Sequence, residues 1–554
     1  MKNIILIIVF LSLLVSSSCN KDFLEEKPLD FLSTSNALVS YSDFNASVSN
    51  LYSLVRNEFY SSDENYPMDY IYGTDLVFDG QASLRRWTTY QGVMVPSGGS
   101  GIPDRHWNAM YKIIAESNTI INRLTNSALT ADQKKLIEGR ARFFRAFGYR
   151  TLAYLFGGVP LVLEEITEPR FDFVRASKEA VLNQVVTDLT FSSSNLPAIS
   201  AVQKGEISKV AAQHLLAEVY LALGQFQNAV NAATAAIDDP TTDLMRNRFG
   251  TRSTVNPGDV YWDLFQRGNQ NAAQNTEAIW VVQFETDVPG GSSVVSNFVG
   301  SAMYERHHAP YFGLLRVNGG SPFLWPVGDY TGGRGIGWAI STRYFSNTIW
   351  QSDFNNDIRN ANHNFVRNFV ANNPASPLFG QTISTENPPA GVTVPSRQFY
   401  AYQSKVTTTF NHPANLYQNP ANYLLKSTAG GTYTDQYMFR LAETYLIRAE
   451  AYLGLNNSIK AAEDINVVRA RSNASAVSPA NITIDYILDE RMRELGVEEK
   501  RRLTLMRLGL LYNRVSRFNT YYSDIQPFHN LFPIPQAEIE RNREAVLKQN
   551  PGYN

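Results

Sequence analysis

The sequence predicts a mainly α-helical protein, in which tetratricopeptide-like helical pairs form a scaffold and a large, loop-rich insertion with short β-strands interrupts it. Three observations predict this fold. Apolar residues recur at helical spacing through the first 240 residues, two segments fit the tetratricopeptide pattern, and about 200 residues of irregular character separate those segments. With 44% hydrophobic and 18% charged residues in 554, the composition is that of a globular protein.

The chain begins with a segment typical of secretion. Lys2 precedes an apolar run over residues 4–15, and Ser16-Ser-Ser-Cys19 follows it. The run is shorter than the ~20 residues that a membrane-spanning helix needs. It resembles a bacterial lipoprotein signal, so we expect residues 1–18 to be removed, Cys19 to be acylated, and residues 19–35 to be a tether. The alternative is an ordinary signal peptide followed by a chance cysteine.

Residues 36–244 form the predicted N-terminal helical region. Phe44, Val48, Leu51 and Val55 recur at helical spacing, as do further apolar residues over 107–124 and 143–155. Residues 217–237 fit a tetratricopeptide helix-turn-helix, whose small residues let paired helices approach closely. The long polar, aromatic segment over residues 61–105 interrupts these helices, and a loop of that length in a helical array is usually functional.

Residues 245–437 form the predicted insertion, which contains glycine pairs, the run Gly332-Gly-Arg-Gly-Ile-Gly337 and short strand-like segments such as residues 278–284. Residues 438–554 form a C-terminal helical region. Its segment over residues 449–468 repeats the tetratricopeptide pattern. The two copies therefore predict a scaffold that closes around the insertion, whose loops are the expected place for a ligand site.

Several short motifs follow one another along the chain, and together they resemble the SusD/RagB family of Bacteroidetes outer-membrane lipoproteins. Each motif alone is weak, but their order behind a lipoprotein-type signal is specific. Arg501-Arg-Leu-Thr504 departs from the family pattern, which often has an aromatic-rich segment there. The motifs are Cys19-Asn-Lys-Asp-Phe-Leu-Glu-Glu-Lys-Pro28, Trp107-Asn-Ala-Met-Tyr111 with Asn118, Arg140-Ala-Arg-Phe-Phe-Arg145 through Gly157-Gly-Val-Pro160, Arg440-Leu-Ala-Glu443, Glu490-Arg-Met-Arg-Glu494, Phe532-Pro-Ile-Pro535 and Gln549-Asn-Pro-Gly-Tyr553.

The resemblance implies a cell-surface lipoprotein, held at the outer membrane by its lipid alone, that binds a glycan and delivers it to a SusC-like TonB-dependent barrel transporter. Two other functions stay open from the sequence. A RagB-like protein would capture peptides in the same transporter-lid role, and a scaffold without a ligand would only cap the barrel. We expect no nucleic-acid partner, because 49 Lys+Arg against 51 Asp+Glu leave a net charge of −2.

The candidate ligand residues lie on the two long irregular segments. Exposed aromatic rings offer flat apolar partners for the C–H faces of sugars, and neighbouring polar groups can hydrogen-bond the hydroxyls. Trp87 and Trp325 are the leading candidates, and we expect their replacement by Ala to weaken binding without changing the melting temperature. Trp107, Trp262 and Trp280 are predicted to be core. The full candidate set is Asp75, Arg85, Trp87, Tyr90, Tyr304, Arg306, Tyr311, Trp325, Tyr330 and Trp338.

No catalytic motif or cofactor site is predicted, and the 332–337 glycine run fails the dinucleotide-binding pattern because Trp338 stands at its last glycine position. A glycosidase carboxylate pair stays a minor alternative, since no spacing singles one out. No metal site is predicted: His307-His308 is interpreted as an extended loop or mixed core–surface pair, and residues 353–357 lack the pattern of a calcium loop. Glu443, Glu450, Arg493, Glu494 and Arg507 are predicted to form structural ion pairs.

Overall fold

A computed structural model describes residues 38–60, 66–81, 87–96, 101–288 and 302–553. Helices dominate these ranges, and short 3₁₀ turns connect many of them. The α-helices are α1 (Tyr41–Tyr60), α2 (Tyr90–Val93), α3 (Ile102–Leu124), α4 (Ala131–Phe156), α5 (Lys178–Asn195), α6 (Lys209–Ala222), α7 (Phe226–Ile237), α8 (Val260–Leu264), α9 (Tyr304–His308), α10 (Arg343–Ser346), α11 (Leu441–Gly454), α12 (Ser458–Arg471), α13 (Ile484–Glu494), α14 (Arg501–Arg507), α15 (Leu511–Phe518) and α16 (Gln536–Arg541).

The long N-terminal helices have clear sequence signals at their ends. Thr130 begins α4 with a capping box, in which its side chain accepts from the Gln133 amide and the Gln133 side chain accepts from the Thr130 amide. Gly157 ends the same helix with a positive φ (75°), which glycine adopts without strain. The apolar faces predicted from the sequence are buried, including Phe44, Val48 and Leu51 of α1, and α1 and α3 to α6 pack successively on one another.

The two tetratricopeptide-like segments meet in space, although the insertion separates them in the sequence. The pair α6–α7 packs beside the pair α11–α12, with α7 against α11. Gly454 makes this approach possible, because a Cβ at that position would lie 2.5 Å from the Phe226 ring. Arg448 of α11 bonds both Asp464 of α12 (2.7 and 2.9 Å) and the Thr234 hydroxyl of α7 (3.0 Å). The predicted helical scaffold that closes around an insertion is confirmed.

The strands are short and form two-stranded antiparallel ladders. The β2–β10 ladder lies at the junction between the insertion and the helical scaffold, and β10 leads directly into α11. The β1–β3 ladder joins the first irregular segment to the insertion, and β4–β7, β5–β6 and β8–β9 lie within the insertion. The strands are β1 (Val77–Asp79), β2 (Ala278–Val282), β3 (Ala339–Ser341), β4 (Phe365–Val366), β5 (Asn368–Val370), β6 (Thr382–Ser384), β7 (Tyr402–Gln403), β8 (Tyr417–Asn419), β9 (Leu424–Leu425) and β10 (Gln436–Arg440).

Buried ion pairs connect the C-terminal helices to the insertion. The Glu494 carboxylate of α13 accepts from Arg440, Arg471 and Arg359, and all four side chains are fully buried. Arg507 pairs with Glu450 through two bonds of 2.7 Å. The prediction of structural ion pairs is thus confirmed, although Arg507 lies on α14 and not on the helix of Arg493 and Glu494. Such pairs are retained when every charge has a partner, because an unpaired buried charge is costly.

Some predictions fall where the structure describes no residues. The signal peptide, the tether and Cys19 precede residue 38, and Arg85 lies between the described ranges that end at 81 and begin at 87. The boundaries proposed at 244 and 437 stay predictions. Within the described ranges, no helix combines the length and apolar character needed to cross a membrane.

Candidate functional site

The two irregular segments that the sequence singles out lie side by side. β1, from the first segment, pairs with β3 of the insertion through the partners Val77–Ser341, Phe78–Ile340 and Asp79–Ala339. The Gly80 amide extends this contact by donating to the Trp338 carbonyl (2.7 Å). Residues from both segments can therefore reach one surface, but their side chains differ in exposure.

Trp87 is a core residue, which corrects the prediction that its ring is exposed. Only 1% of it is accessible to solvent. Its indole N–H donates to Asp69 (2.9 Å), and the Arg502 guanidinium lies over its ring at 3.9 Å. Tyr90 packs edge-on against it with ring centroids 5.5 Å apart and is fully buried as well. These rings brace the first segment and offer no face to a sugar.

Asp75 and Tyr304 are also buried, and their polar atoms are occupied. Asp75 accepts from Arg501 and Arg514 at 2.8 Å. Burial alone would raise the pKa of Asp75, but these two guanidinium groups lower it to about 2. The Tyr304 hydroxyl donates to the Phe59 carbonyl (3.1 Å). Both residues therefore fix the irregular segments to the helices, and their surface exposure was predicted wrongly.

Tyr311 and Trp325 form a half-buried aromatic pair on the insertion. Their ring centroids are 5.0 Å apart with an interplanar angle of 46°. The Trp325 indole N–H donates to the Gly335 carbonyl (3.0 Å), which fixes the ring. Arg334 lies 5.4 Å from the centre of the Trp325 ring, and Arg397 lies 5.1 Å from that of Tyr311. We call Tyr311, Trp325, Arg334 and Arg397 the Trp325 surface.

The glycine run supports this surface by allowing close packing. A Cβ at Gly335 would lie 2.5 Å from the Ala309 carbonyl oxygen, and one at Gly337 would lie 2.1 Å from the Arg397 carbonyl oxygen. The buried Glu305 carboxylate accepts from the Arg334 amide and from His412 Nε2 (2.8 Å). Glu305 thereby ties the glycine run to the segment around residue 412.

His307 and His308 lie on a helix, α9, and both are buried, which corrects the loop interpretation. The half-buried Trp338 stacks on His307 with ring centroids 5.4 Å apart. Burial lowers the pKa of His308 to about 4 and that of His307 well below its usual value, so both rings are neutral at pH 7. Arg306 of the same helix is half-buried. No cluster of three or more metal-ligating side chains occurs within the described ranges.

Tyr330, a candidate from the sequence, belongs to a second group of rings whose other members sequence reasoning missed. Its ring meets Phe410 edge-on at 5.2 Å, Phe410 meets Tyr423 at 4.8 Å, and Tyr423 lies 6.3 Å from Tyr417. The sequence signal available for finding Tyr417 and Tyr423 was their spacing in a loop that contains Asn and Pro. Their proximity to Tyr330, about ninety residues earlier, carries no local signal in the sequence.

A separate groove of about 290 Å³ runs along α3 and is bounded by residues 160–173 and the C-terminal segment. Trp107, Tyr111 and Asn118 of the sequence motif line it. The Tyr111 hydroxyl donates to the Pro160 carbonyl (2.7 Å), and the Asn118 amide donates to the Val162 carbonyl (3.0 Å). These motif residues therefore hold the wall of the groove. Trp107, Trp262 and Trp280 are buried, as predicted.

Comparison with known proteins identifies the family. Residues 276–553 match the model of the SusD family, and residues 22–221 match a family described as starch-binding associating with outer membrane. The chain belongs to the SusD family. The resemblance stated from the motifs is thereby confirmed, and it extends over both halves of the chain.

Several relatives of this SusD-family chain match it over most of its length. It is 24% identical to the SusD-like protein P25 of Formosa agariphila, over 99% of this chain and 98% of that one. A laminarin-binding SusD-like protein superposes with a TM-score of 0.67 at 21% identity, covering 92% and 99% of the two chains. Surface glycan-binding protein A of Bacteroides thetaiotaomicron, solved with laminarihexaose, superposes with a TM-score of 0.66 at 18% identity over 92% and 99%. These likenesses confirm the fold.

Proposed function

We propose that this SusD-family protein is a non-catalytic, lipid-anchored protein of the cell surface that binds an oligo- or polysaccharide at the Trp325 surface and delivers it to a SusC-like TonB-dependent transporter. Glycan binding is a property of the family: one of the matching family models is described as starch-binding, and proteins of the same fold include a laminarin-binding protein and a glycan-binding protein solved with laminarihexaose. The anchor would be the acylated Cys19, with residues 19–35 as the tether.

The observation that carries this proposal is the fixed, half-buried pair of Tyr311 and Trp325 flanked by two arginines. A sugar ring presents an apolar C–H face that can pack on an indole, and guanidinium groups can donate to its hydroxyls. The hydrogen bond from Trp325 to Gly335 holds the indole in place before a ligand arrives. The cost of ordering this ring on binding is therefore small.

The rings tilt by 46° relative to each other, so they do not form one flat plane. A curved or helical oligosaccharide could contact both rings with successive sugar residues, and each contact would add to the affinity. This arrangement suits a chain of sugars better than an isolated monosaccharide.

Titration calorimetry of the soluble chain, beginning after Cys19, tests the proposal. The probes are laminarihexaose and a panel of plant, microbial and host polysaccharides, with casein peptides as a separate class. We expect saturable binding to one glycan, and Trp325→Ala should weaken it about tenfold, a loss of about 1.4 kcal/mol. The melting temperature should stay within about a degree of the wild-type value, because the ring is only half-buried.

Phe379→Ala is the matched control, since Phe379 is an exposed aromatic residue of the same insertion, 56% accessible, outside the Trp325 surface. It should leave the affinity unchanged. Binding of peptides with no binding of any glycan would contradict the proposal and move the protein to the peptide-capturing class. Equal glycan affinities of Trp325→Ala and the wild type would place the site elsewhere.

A further inference from the structure

Arg252, near the start of the insertion, lies beside the second group of rings, because it bonds the carbonyl of Thr409, the residue before Phe410. Its guanidinium lies over the buried Trp262 indole, 4.6 Å from the ring centre. Nη1 donates to the Gln266 side chain (3.1 Å) and to the Thr409 carbonyl (2.9 Å). These contacts hold the side chain in one position next to Phe410.

The Nε–Nη2 edge of Arg252 remains available. It donates to no atom within the described part of the protein, and neither of its nitrogens is fully buried. A guanidinium has five N–H donors, and this edge is one that binds a carboxylate or sulfate through two parallel hydrogen bonds. The fixed Nη1 leaves the edge pre-oriented, so little side-chain entropy is lost when an anion binds.

Arg252 also lacks a counter-ion. Among the described residues, no carboxylate oxygen lies within 4.0 Å of its nitrogen atoms. Asp263 lies within electrostatic reach of Arg252 but accepts from Arg248 at 2.6 and 3.1 Å, and Asp259, near Tyr330, bonds His363 at 2.6 Å. This contrasts with the many arginines of this protein that are paired with carboxylates, such as Arg507 with Glu450.

Three tyrosines lie near this cation, since its bond to the Thr409 carbonyl places it next to Phe410, on which Tyr330 and Tyr423 pack. Half-burial lowers the pKa of Arg252, and the neighbouring hydroxyls of Tyr330, Tyr417 and Tyr423 oppose that shift, which places all three within its electrostatic reach. The Tyr417 hydroxyl accepts from the His412 amide (3.2 Å) and keeps its own proton to donate. The Tyr330 and Tyr423 hydroxyls bond no described residue, and Tyr423 is 39% exposed. Aromatic faces and hydroxyl donors thus meet at one unpaired cation.

We propose that Arg252, Tyr330, Tyr417 and Tyr423 form a second sugar-binding site, separate from the Trp325 surface, which takes a sugar residue bearing a carboxylate or a sulfate. The rings would pack on the apolar face of the sugar, and the Nε–Nη2 edge would bind its anionic group. The inference rests on the proposed function in that the ligand is a glycan. The second site, unlike the Trp325 surface, requires a negatively charged group on the sugar.

Titration calorimetry with three hexasaccharides tests the inference and separates the two anion sources: an oligogalacturonate carries carboxylates, a carrageenan fragment carries sulfates, and laminarihexaose is neutral. We expect one anionic probe to bind with an affinity that falls as salt rises from 50 to 300 mM. Arg252→Gln should weaken that probe at least tenfold. The double variant Tyr330→Phe, Tyr423→Phe keeps both rings and should weaken it about threefold.

Two further variants keep the test decisive. Arg343→Gln removes an equivalent charge from an arginine whose side chain is 60% exposed on the same insertion, and it should change the affinity less than twofold. Arg252→Lys keeps the charge and most of the packing on Trp262 but loses the two-bond edge, so it should resemble Arg252→Gln in affinity while it melts like the wild type.

The inference is overturned if both anionic probes bind wild type and Arg252→Lys equally, because Arg252 would then only brace Trp262 and residue 409. It is also overturned if neutral glycans bind and neither anionic probe does, which leaves the proposed function standing. If no glycan of any kind binds while casein peptides do, both the inference and the proposed function fail.

Discussion

Trp87 and Trp325 both lie in irregular segments, yet their rings have different neighbours. Arg502 covers the face of Trp87, and Asp69 accepts from its indole N–H, so this ring is enclosed by groups that arrive from distant parts of the chain. Trp325 is held by a carbonyl only ten residues away and keeps part of its ring accessible. A ring of the first kind contributes to stability, and one of the second kind is available for binding.

Replacement of Trp87 by Ala should therefore destabilise the protein. Removing a buried aromatic side chain costs about 3–5 kcal/mol, and here it also leaves Asp69 without one of its donors. We expect a clear fall in the midpoint of urea unfolding followed by tryptophan fluorescence. Trp325→Ala is the comparison and should cost less than about 1 kcal/mol. If the two variants unfolded at the same urea concentration as the wild type, Trp87 would not be a core residue.

Residue burial was the part that the sequence predicted least well. Nothing near Asp75 in the sequence indicates its partners, because Arg501 and Arg514 lie more than four hundred residues later. By contrast, Trp107 and Trp280 stand in periodic apolar segments, and their burial was predicted correctly. Local periodicity indicates which face of a single element is buried. The loop aromatics are buried by other elements, which the periodicity of the loop itself does not show.

At the scale of elements, the glycine run decides how closely the insertion's loops pack. Gly337 has φ 64° and faces the Arg397 carbonyl, and Arg397 itself lies over the Tyr311 ring. Any side chain at this position would push the two loops apart. The glycine run at 332–337, which fails the dinucleotide-binding pattern, therefore has a packing role beneath the Trp325 surface.

Gly337→Ala should consequently weaken glycan binding while the helical scaffold stays folded. We expect at least a tenfold loss of affinity by calorimetry, with an unchanged far-ultraviolet circular dichroism spectrum. Gly391→Ala is the matched control, because Gly391 also has a positive φ (82°) but no heavy atom within 4 Å of the added Cβ. Equal losses of affinity in the two variants would indicate that backbone strain, and not the contact with residue 397, causes the effect.

The sequence predicted contacts between elements well where each of the two contacting elements carries a recognisable sequence pattern. The tetratricopeptide-like pairs were found from small residues and apolar spacing, and the contact of α7 with α11 follows from their being neighbouring repeats. The β1–β3 ladder was not predicted, since each strand has three residues and no alternation that marks it. Short strands in long loops take their structure from the partner strand.

For the whole molecule, buried ion pairs join the C-terminal helices, the insertion and the first irregular segment. Glu490 accepts from Arg493 and Arg469 at 2.9 Å, and Asp75 links the first segment to α14 and α15. Burial alone would raise the pKa of such carboxyls, but the neighbouring guanidinium groups lower the pKa of Glu490 and Asp75 to about 2. The folded protein therefore holds these carboxylates ionised where the unfolded chain would protonate them.

This network predicts loss of stability in acid. A carboxyl with a lowered pKa contributes fully above its unfolded value of about 4, and that contribution disappears as the pH falls toward about 2. His308, whose pKa is lowered to about 4 by burial, acts in the same direction between about pH 6.5 and 4. Thermal unfolding followed by calorimetry should show a steady midpoint near neutrality and a steep fall below about pH 4.5. A midpoint that stayed constant down to pH 2.5 would contradict the network's role.

We propose that a bound sugar chain lies against the tilted pair of Tyr311 and Trp325. A crystal structure of the protein with the glycan that calorimetry selects would locate that sugar. We expect a sugar ring within about 4 Å of the Trp325 indole, with Arg334 or Arg397 donating to its hydroxyls. A glycan seated instead in the groove along α3, with the Trp325 ring uncontacted, would contradict it.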